Sequence, residues 1–491
     1  MYNPELKHTT DAEIILAWST MMKDKSDNKR QQVRIVFFIS LLFYLWLAAQ
    51  IPYCQDDWDW GLPIGIQQLT DASLNSRYVG NLIEVALTRS SILKTIVMGL
   101  TFAVIPFSAA RAVTQCGFED PGTDYTIPAV LLASILMLSM PLEIWRQTFG
   151  WVAGFSNFVV SVLFLLEYQM LLISLLREKR KKQSLFQTIA VFLFAIALQL
   201  FLENVAVYIF LCSSIVLFAS LWRKKGNRDI VGLWAGNLIG TLFMFSSSVY
   251  LTLAETGSAI DGYRTLSFDR EASLFSIVFG FFRRFVILYP DQIWMNNTVL
   301  CCAILLLLIV LHLIKKNTKS CFVWCTVDLL LFVYTVFCSR EGRIQLPSEW
   351  WTNVLSAGIA IVFFVVVLFQ AFFVFRNQRT PMQAFLFFWI SAPAVVLPMV
   401  VVSSVGPRTF LTSDLFLIEA SILLFLEILR SVKTHTNRII TACLSIALCI
   451  LWLYGGVIYY GIGNIRRDRL DAISSARAGE TQSILLKAFP Q

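Results

Sequence analysis

Apolar segments of roughly twenty residues recur along almost the whole of this chain, which has 491 residues. A segment of that length crosses a hydrocarbon core of about 30 Å as an α-helix. Because a bilayer contains no water to bond exposed backbone groups, a chain with many such segments folds into spanning helices. Apolar residues make up 57% of the sequence and charged residues 15%. No stretch is left for a sizeable soluble domain.

Short basic loops between the apolar segments predict the topology. Lys and Arg concentrate in the cytoplasmic loops of membrane proteins, and the strongest basic stretches lie at 177–182 and 223–228. With these loops inside, the chain threads as about 13 spans with a cytoplasmic N-terminus. The predicted fold class is an all-α polytopic bundle, with a cytoplasmic segment at 1–32, a transmembrane domain at 33–460 and an extracytoplasmic tail at 461–491.

The sequence also argues against a nucleic-acid partner, a disulfide or zinc framework and a cleaved signal peptide. The net charge is +8, but its location in short loops indicates topology rather than a nucleic-acid partner. The cysteines lie mostly in apolar segments and show no repeated CxxC spacing, which argues against a disulfide framework and a zinc site. No small-residue cleavage site follows the first span, which is therefore predicted to be an uncleaved anchor rather than a signal peptide.

An acidic cluster at 55–61 directly follows the first span and contains Asp56, Asp57 and Asp59. Carboxylates at the edge of a bilayer are costly and indicate a function. Crowded acids raise one another's pKa, so one of them could take a proton from an incoming hydroxyl group. They could equally hold a divalent cation through hard oxygen ligands, or be solvated loop acids that pair with a basic neighbour such as Arg77.

Arginines are unusually frequent on the predicted outer side, where positive-inside statistics expect few. A guanidinium group binds phosphate through two parallel hydrogen bonds, so a phosphate-bearing lipid is a natural partner for the set. Each arginine taken alone could equally pair with a headgroup or a loop acid. The predicted outer arginines are Arg77, Arg89, Arg264, Arg270, Arg283, Arg284, Arg340, Arg343 and Arg408.

Two polar stretches fall where spans break at the outer side. The turn at 143–157 combines aromatic, amide and charged side chains, including Trp151 and Asn157. Aromatic faces with neighbouring amides suit a sugar ring, and Trp58 in the acidic cluster could add another face. Glu203–Asn204 lies at the tip of a broken hairpin. Interfacial tryptophans and helix caps are the alternative explanation for both stretches.

Acids inside predicted spans support a different class, an ion-coupled transporter or a flippase of lipid-linked glycans. These acids are scattered over several spans and have no evident basic partner in the sequence. All three histidines fall on the predicted cytoplasmic side, so none is expected at an outer-face site. The intramembrane acids are Glu167, Asp328, Glu419 and Glu427.

The order of the outer motifs resembles a known superfamily. A first span, then Asp56–Asp57, then Arg77, about a dozen spans and a late Pro407–Arg408 resemble bacterial membrane glycosyltransferases of the GT-C superfamily. Members of that superfamily carry short interfacial helices in the first outer loop. The resemblance covers roughly residues 33–430.

Two further motifs are similar to a branch near the O-antigen and cell-wall polysaccharide glucosyltransferases. They are Trp151-x-x-Gly154-x-x-Asn157 and Glu203–Asn204. Members of that branch often have a Pro-Gly-Asn turn after the seventh span. This chain has Ser-Ser-Ser-Val-Tyr at 246–250 instead, so a phosphate role is not carried over to that region.

The resemblance implies sugar transfer at the outer face of a bacterial cytoplasmic membrane, from a polyprenyl-phosphate monosaccharide to a glycan hydroxyl, with inversion. It implies Asp56 as the base and Asp57 as a catalytic neighbour that orients Asp56 or shares its task. It implies no cofactor, although a divalent ion could sit at these two acids. A polysaccharide polymerase or ligase is a further alternative. Phosphate contacts would come from Arg77, Arg408, Arg283 and Arg284, and sugar or acceptor contacts from Trp151, Asn157, Glu203, Asn204 and Trp58.

Overall fold

Helices form nearly all of the regular structure of the chain. Backbone groups in a bilayer must bond within their own segment, so apolar runs of this length become helices. The all-α, multi-pass membrane class expected from the sequence is confirmed. The computed structural model describes residues 11–118, 125–177, 184–224, 226–260, 262, 264–315, 318–341, 348–403, 405–477 and 486.

The helices differ widely in length, from a single turn to more than ten turns. Short 3₁₀ turns lie at Leu397–Val401 and Pro407–Phe410, and π-helical turns at Phe155–Val159 and Arg284–Leu288. The α-helices are α1 (Asp11–Gln50), α2 (Asp57–Gly61), α3 (Pro63–Asp71), α4 (Tyr78–Arg89), α5 (Ser91–Gly117), α6 (Thr126–Leu138), α7 (Leu142–Gln147), α8 (Val152–Gly154), α9 (Val160–Arg177), α10 (Leu185–Gln199), α11 (Glu203–Trp222), α12 (Arg228–Phe245), α13 (Ser248–Thr256), α14 (Leu274–Arg283), α15 (Tyr289–Trp294), α16 (Thr298–Lys315), α17 (Thr318–Glu341), α18 (Glu349–Val374), α19 (Arg379–Ala394), α20 (Leu411–Ser431) and α21 (Thr434–Arg477).

Nine helical segments in the described part of the chain are long and apolar enough to cross a membrane. A tenth is obtained if α12 and α13, which are bent by 66° at their junction, count as one broken span. Three shorter apolar helices coincide with the remaining predicted spans, namely α6, α10 and the segment Cys321–Phe337 of α17. The total of about 13 spans stays a prediction.

Short helices are present where the sequence predicts pieces lying along the membrane surface. The first outer loop contains α2, α3 and α4. The segment between α13 and α15, which we call the long loop, contains α14 followed directly by a π-helical turn. These helices are too short to cross a bilayer. The first loop and the long loop therefore each stay on the side of the membrane where the flanking spans end.

Helix α20 is the centre of the bundle. Every residue from Leu411 to Leu429 is buried, and the helix packs against α5, α6, α16 and α19. A helix surrounded by protein can carry polar groups that would be costly against lipid tails. Glu419 and Glu427 therefore lie inside the protein rather than at a lipid-facing surface.

The long loop is held against the chain that precedes Pro407. Two strands of two residues each, β1 (Ser258–Ala259) and β2 (Arg264–Thr265), pair in antiparallel fashion. A bridge between Leu266 and Val402 follows β2. Backbone bonds join Ser403 N to the Thr265 carbonyl and Ser267 N to the Val401 carbonyl, at 3.0 and 2.9 Å. The loop therefore forms a fixed wall on the end of the bundle that carries the acidic cluster.

The opposite end of the bundle carries basic side chains in polar contacts. Lys315 Nζ lies 2.9 Å from Glu427 Oε1, and the Arg430 guanidinium lies over the Phe118 ring. Which end faces the cytoplasm stays a prediction. The basic stretch at 178–182 lies outside the described residues, and Arg340 and Arg343 fall outside the part whose side chains are described.

The terminal helices extend past the predicted domain boundaries. Helix α1 begins at Asp11 and α21 continues to Arg477, so no break in either helix marks the boundaries proposed at 32 and 461. Arg466 Nη1 donates to the Ala49 carbonyl at 2.6 Å. This contact places the part of α21 around Arg466 beside the end of α1, close to the acidic cluster.

Candidate functional site

Asp57 fastens the acidic cluster to the bundle. Its carboxylate accepts the Cys54 N–H at 3.0 Å and the Ala153 N–H at 2.9 Å, and the residue is only 2% exposed. Burial raises the pKa of the Asp57 carboxyl to about 6, although bonds from backbone N–H groups oppose the rise. Asp57 therefore anchors the loop to the bundle, while its predicted catalytic role beside Asp56 stays a prediction.

Asp56 is exposed at the residue that precedes α2, and its side chain makes no cap hydrogen bond to that helix. Trp58 is 56% exposed and meets the Tyr53 ring edge to face. Both residues thus remain accessible to a ligand. A metal at Asp56 and Asp57 stays untested, and within the described ranges no group of three or more His, Cys, Asp or Glu side chains could hold an ion.

Arg89 has a structural role on the same loop. Its guanidinium donates to the carbonyls of Trp60 and Leu62, at 2.6 and 2.7 Å. These bonds tie the end of α4 to the junction of α2 and α3. Arg89 therefore stabilises the loop. Its presence on the predicted outer side is explained by these contacts and needs no phosphate ligand.

Glu84 is a residue that the sequence reasoning missed. It is 1% exposed on α4, and its carboxylate accepts the Asn157 amide N–H at 3.3 Å. Its other carboxyl oxygen has no hydrogen-bond partner within the described part of the chain. Burial first, and the charges of Asp57 and Asp56 second, hold the pKa of Glu84 well above its usual range. Gly80, Asn81 and Glu84 are buried on one face of α4. Their spacing in the sequence was the available signal that Glu84 shares this face.

We expect Glu84→Gln to flatten the dependence of stability on pH. A carboxyl with a raised pKa in the folded state costs stability as the pH rises from the unfolded value toward the folded one, by up to about 1.4 kcal/mol per pH unit. Thermal unfolding in detergent between pH 5 and 8 should show the native protein losing stability that the variant keeps. Glu255→Gln, at an exposed position, is the control. Parallel slopes for the native and Glu84→Gln proteins would show that Glu84 ionises normally.

Glu203 joins two arginines from different parts of the chain. It accepts from Arg77 Nη2 at 2.7 Å and from Arg77 Nε at 3.1 Å, and it pairs with Arg264 Nη1 at 3.2 Å. Tyr250 also donates to this carboxylate. The three charged groups, which we call the Glu203 triad, keep one net positive charge. Arg77 is therefore already paired with a carboxylate, and Glu203 itself is occupied by protein contacts.

Arg408 lies on the face of two aromatic rings. Its guanidinium carbon is 5.4 Å from the Trp151 ring centre and 5.5 Å from that of Phe158, and Arg77 lies 5.6 Å from the same Phe158 ring. Arg408 forms no ion pair with any side chain that the structure describes. We call Arg77, Trp151, Phe158 and Arg408 the arginine–aromatic cluster. It brings together three residues that the sequence placed in one site, with one guanidinium free of a carboxylate.

The turn that carries these rings is irregular. Residues Phe155–Val159 form a π-helical turn between α8 and α9, and such turns occur frequently at functional sites. Asn157 bonds the Ala153 carbonyl at 3.1 Å, whereas its carboxamide oxygen and the Trp151 indole N–H have no partner in the described part of the chain. Buried polar groups are almost always bonded, so these two unbonded atoms mark the turn as an unusual polar site beneath the surface of the cluster.

The remaining predicted site residues have other contacts. Asn204 donates to the Val395 carbonyl at 3.1 Å. Arg283 lies over the Trp350 ring at 4.5 Å, and Arg284 donates to the Val402 carbonyl at 3.0 Å. Their predicted roles in sugar or phosphate binding stay predictions, but the structure does not place them in the arginine–aromatic cluster.

The intramembrane acids each have a hydrogen-bond partner on another helix. Three of them bond to hydroxyl or amide groups rather than to a cation, and one of these bonds continues to a histidine, since Gln370 also contacts His312 at 2.7 Å. Glu427 has the basic partner that the sequence did not reveal, so that expectation was wrong. The four pairs are Ser108 with Glu167, Gln370 with Asp328, Gln169 with Glu419, and Lys315 with Glu427.

Comparisons with protein-family models, with curated proteins and with solved structures find no match to this chain. The class that the fold defines is a multi-pass membrane protein. Any more specific function rests on the geometry at the end of the bundle that carries Asp56, Trp151 and Arg408.

Proposed function

We propose that this protein is a GT-C-type glycosyltransferase that moves a monosaccharide from a polyprenyl-phosphate donor to a glycan hydroxyl. The observation that carries the proposal is the arginine–aromatic cluster, in which Arg408 and Arg77 lie over the rings of Trp151 and Phe158. The hydrogen bond between Asp57 and Ala153 ties the loop that carries Asp56 to the turn that carries Trp151. A cation, aromatic faces and an accessible carboxylate are the groups that such a transfer requires.

Each group has a defined part in the reaction. The Asp56 carboxylate takes the proton of the acceptor hydroxyl as its oxygen attacks the anomeric carbon. The bond from that carbon to the phosphate oxygen breaks, and its electron pair leaves with the polyprenyl phosphate. Arg408 stabilises the charge that develops on the phosphate. Attack from the face opposite the leaving group inverts the anomeric carbon.

The free polar atoms suit the transferred sugar. We assign Trp151 and Asn157 to the wall of the sugar site, where the Trp151 ring lies beside Arg408 and both side chains keep an unbonded polar atom. The Glu203 triad contributes one net positive charge next to the Phe158 ring, which supplements Arg408. The basic side chains at the opposite end of the bundle favour the cytoplasm there, which would place this site at the outer face of a bacterial cytoplasmic membrane.

The test uses the purified full-length protein in lipid nanodiscs. Polyprenyl-phosphate hexose, a polyprenyl-diphosphate oligosaccharide and a nucleotide sugar are supplied separately as donors, each with a glycan acceptor that carries free hydroxyl groups. We expect release of polyprenyl phosphate from the first donor alone. Reaction only with the oligosaccharide donor would indicate a polymerase or ligase, and reaction with the nucleotide sugar would contradict a lipid-linked donor.

A transporter or flippase remains the alternative class. It would depend on polar groups near the middle of the membrane, such as Asp328, which accepts from the Gln370 amide at 2.6 Å. Movement of a lipid-linked glycan across a reconstituted bilayer that requires Asp328 and is indifferent to Asp56 would favour it. Chemical cleavage of the donor would exclude this alternative.

A further inference from the structure

A cleft of about 480 Å³ with both polar and apolar lining opens beside the arginine–aromatic cluster. It lies between α7, α15, α18 and the chain that leads into α20. Its polar lining includes Glu143, Asp291, Gln292, Asn353 and Arg284. None of these residues has a role in the donor chemistry described above, and Arg284, which the sequence assigned to a phosphate, lies here.

The walls of the cleft are held by contacts outside it. Arg284 donates to the Val402 carbonyl at 3.0 Å, and Tyr289 donates to the Met399 carbonyl at 2.8 Å. Ser403, which also lines the cleft, bonds to Thr265 through both its backbone and its side chain. Because the walls are fixed without a ligand, the cleft is preformed rather than opened by binding.

The lining chemistry favours a neutral ligand with many hydroxyl groups. The Glu143 carboxylate can accept hydrogen bonds from a ligand, and the Gln292 amide can both donate and accept. Two carboxylates against the single guanidinium of Arg284 disfavour a phosphate. Phe410, Leu288 and Val405 add apolar surface against which the ring faces of a sugar can pack. A glycan satisfies this set of donors and acceptors.

The cleft lies next to the turn that carries Arg408. Pro407 and Phe410 belong to one 3₁₀ turn and line the cleft, whereas Arg408 in the same turn contacts Trp151 and Phe158. A ligand in the cleft is therefore one turn of backbone away from the proposed phosphate site. We infer that the cleft binds the glycan acceptor, an inference that rests on the proposed glycosyltransferase function.

Two variants test the inference in the reconstituted full-length protein. Gln292→Leu removes an amide that makes no hydrogen bond with the described residues, and Glu143→Gln removes an exposed carboxylate. The acceptors are hexasaccharides of glucose, rhamnose, galactose and N-acetylglucosamine, supplied one at a time. Both variants should raise the acceptor KM about tenfold while the donor KM stays at the value of the control, Glu255→Gln.

The outcomes separate this inference from the proposed function. An unchanged acceptor KM in both variants would overturn the cleft as the acceptor site while leaving the glycosyltransferase intact. Hydrolysis of the donor that none of the four hexasaccharides diverts into product would also overturn it. A native protein that neither hydrolyses nor transfers from any lipid-linked donor would instead overturn the proposed function itself, and the inference with it.

Discussion

Asp56→Asn should lower sugar transfer from a polyprenyl-phosphate donor by about 100- to 10,000-fold, the range that a positioned general base contributes. The amide cannot take the proton of the acceptor hydroxyl. Folding should be unaffected, because Asp56 is exposed and makes no cap bond to α2. The measurements are the initial rate of product formation and the thermal unfolding midpoint in the same preparation.

Asp59→Asn is the matched control for this variant. Asp59 is an exposed aspartate in the same helical turn, so the substitution removes the same charge from the same loop. We expect it to retain nearly all of the native rate. If Asp56→Asn and Asp59→Asn lose activity equally, the loop contributes only its overall charge. If Asp56→Asn transfers sugar at the native rate, Asp56 is not the base.

Arg408→Ala should weaken donor binding by about 10- to 150-fold, because hydrogen bonds to charged groups contribute about 1.5–3 kcal/mol each. Arg408 forms no ion pair with the described side chains, so its guanidinium is the one in the cluster most able to bind a phosphate. The donor KM and the inhibition constant of free polyprenyl phosphate should rise together. A cation over an aromatic ring contributes about 0.5–1 kcal/mol at exposed sites, so the variant should remain folded without the guanidinium over Trp151 and Phe158.

Arg283→Ala and Arg408→Lys are the two comparison variants for this experiment. Arg283 stacks on Trp350 instead of Trp151 or Phe158, so its removal should leave the donor KM unchanged. Lysine at 408 keeps the charge but loses the planar two-bond geometry, and its KM should fall between native and alanine. Donor KM and product inhibition that stay native in Arg408→Ala would remove Arg408 from the phosphate site.

Several elements of the structure follow from local patterns. The span over α1 and the spans over α5 and α18 coincide with uninterrupted apolar runs, because the length of a hydrophobic segment sets whether it can cross a bilayer. The short helices at α4 and α14 follow from amphipathic pieces bounded by charged residues. The acidic loop and the late Arg408 were recognised as candidates because charged groups beside a membrane are costly.

Pairings between distant residues did not follow from such patterns. Arg77 and Glu203 are 126 positions apart, and the Glu203 triad also draws on Arg264 from a loop with no apolar signal. The sequence assigned Arg77 to a phosphate and Glu203 to a sugar, but the fold brings their side chains together. Glu84 was missed because its burial depends on the packing of α4 against the π-helical turn at Phe155–Val159.

The amino-acid sequence alone determined that this is a multi-pass helical membrane protein with polar groups concentrated at a few loops. Hydropathy and segment length are local properties, and the bilayer converts them directly into spans. Only the tertiary structure decided which polar groups neutralise each other and which stay free. It assigned Arg77 to Glu203, left Arg408 over Trp151 and placed Asp57 against Ala153, because such contacts depend on distances between helices that no local pattern encodes. Asp56 and Arg408 thereby became the two residues on which the proposed function depends.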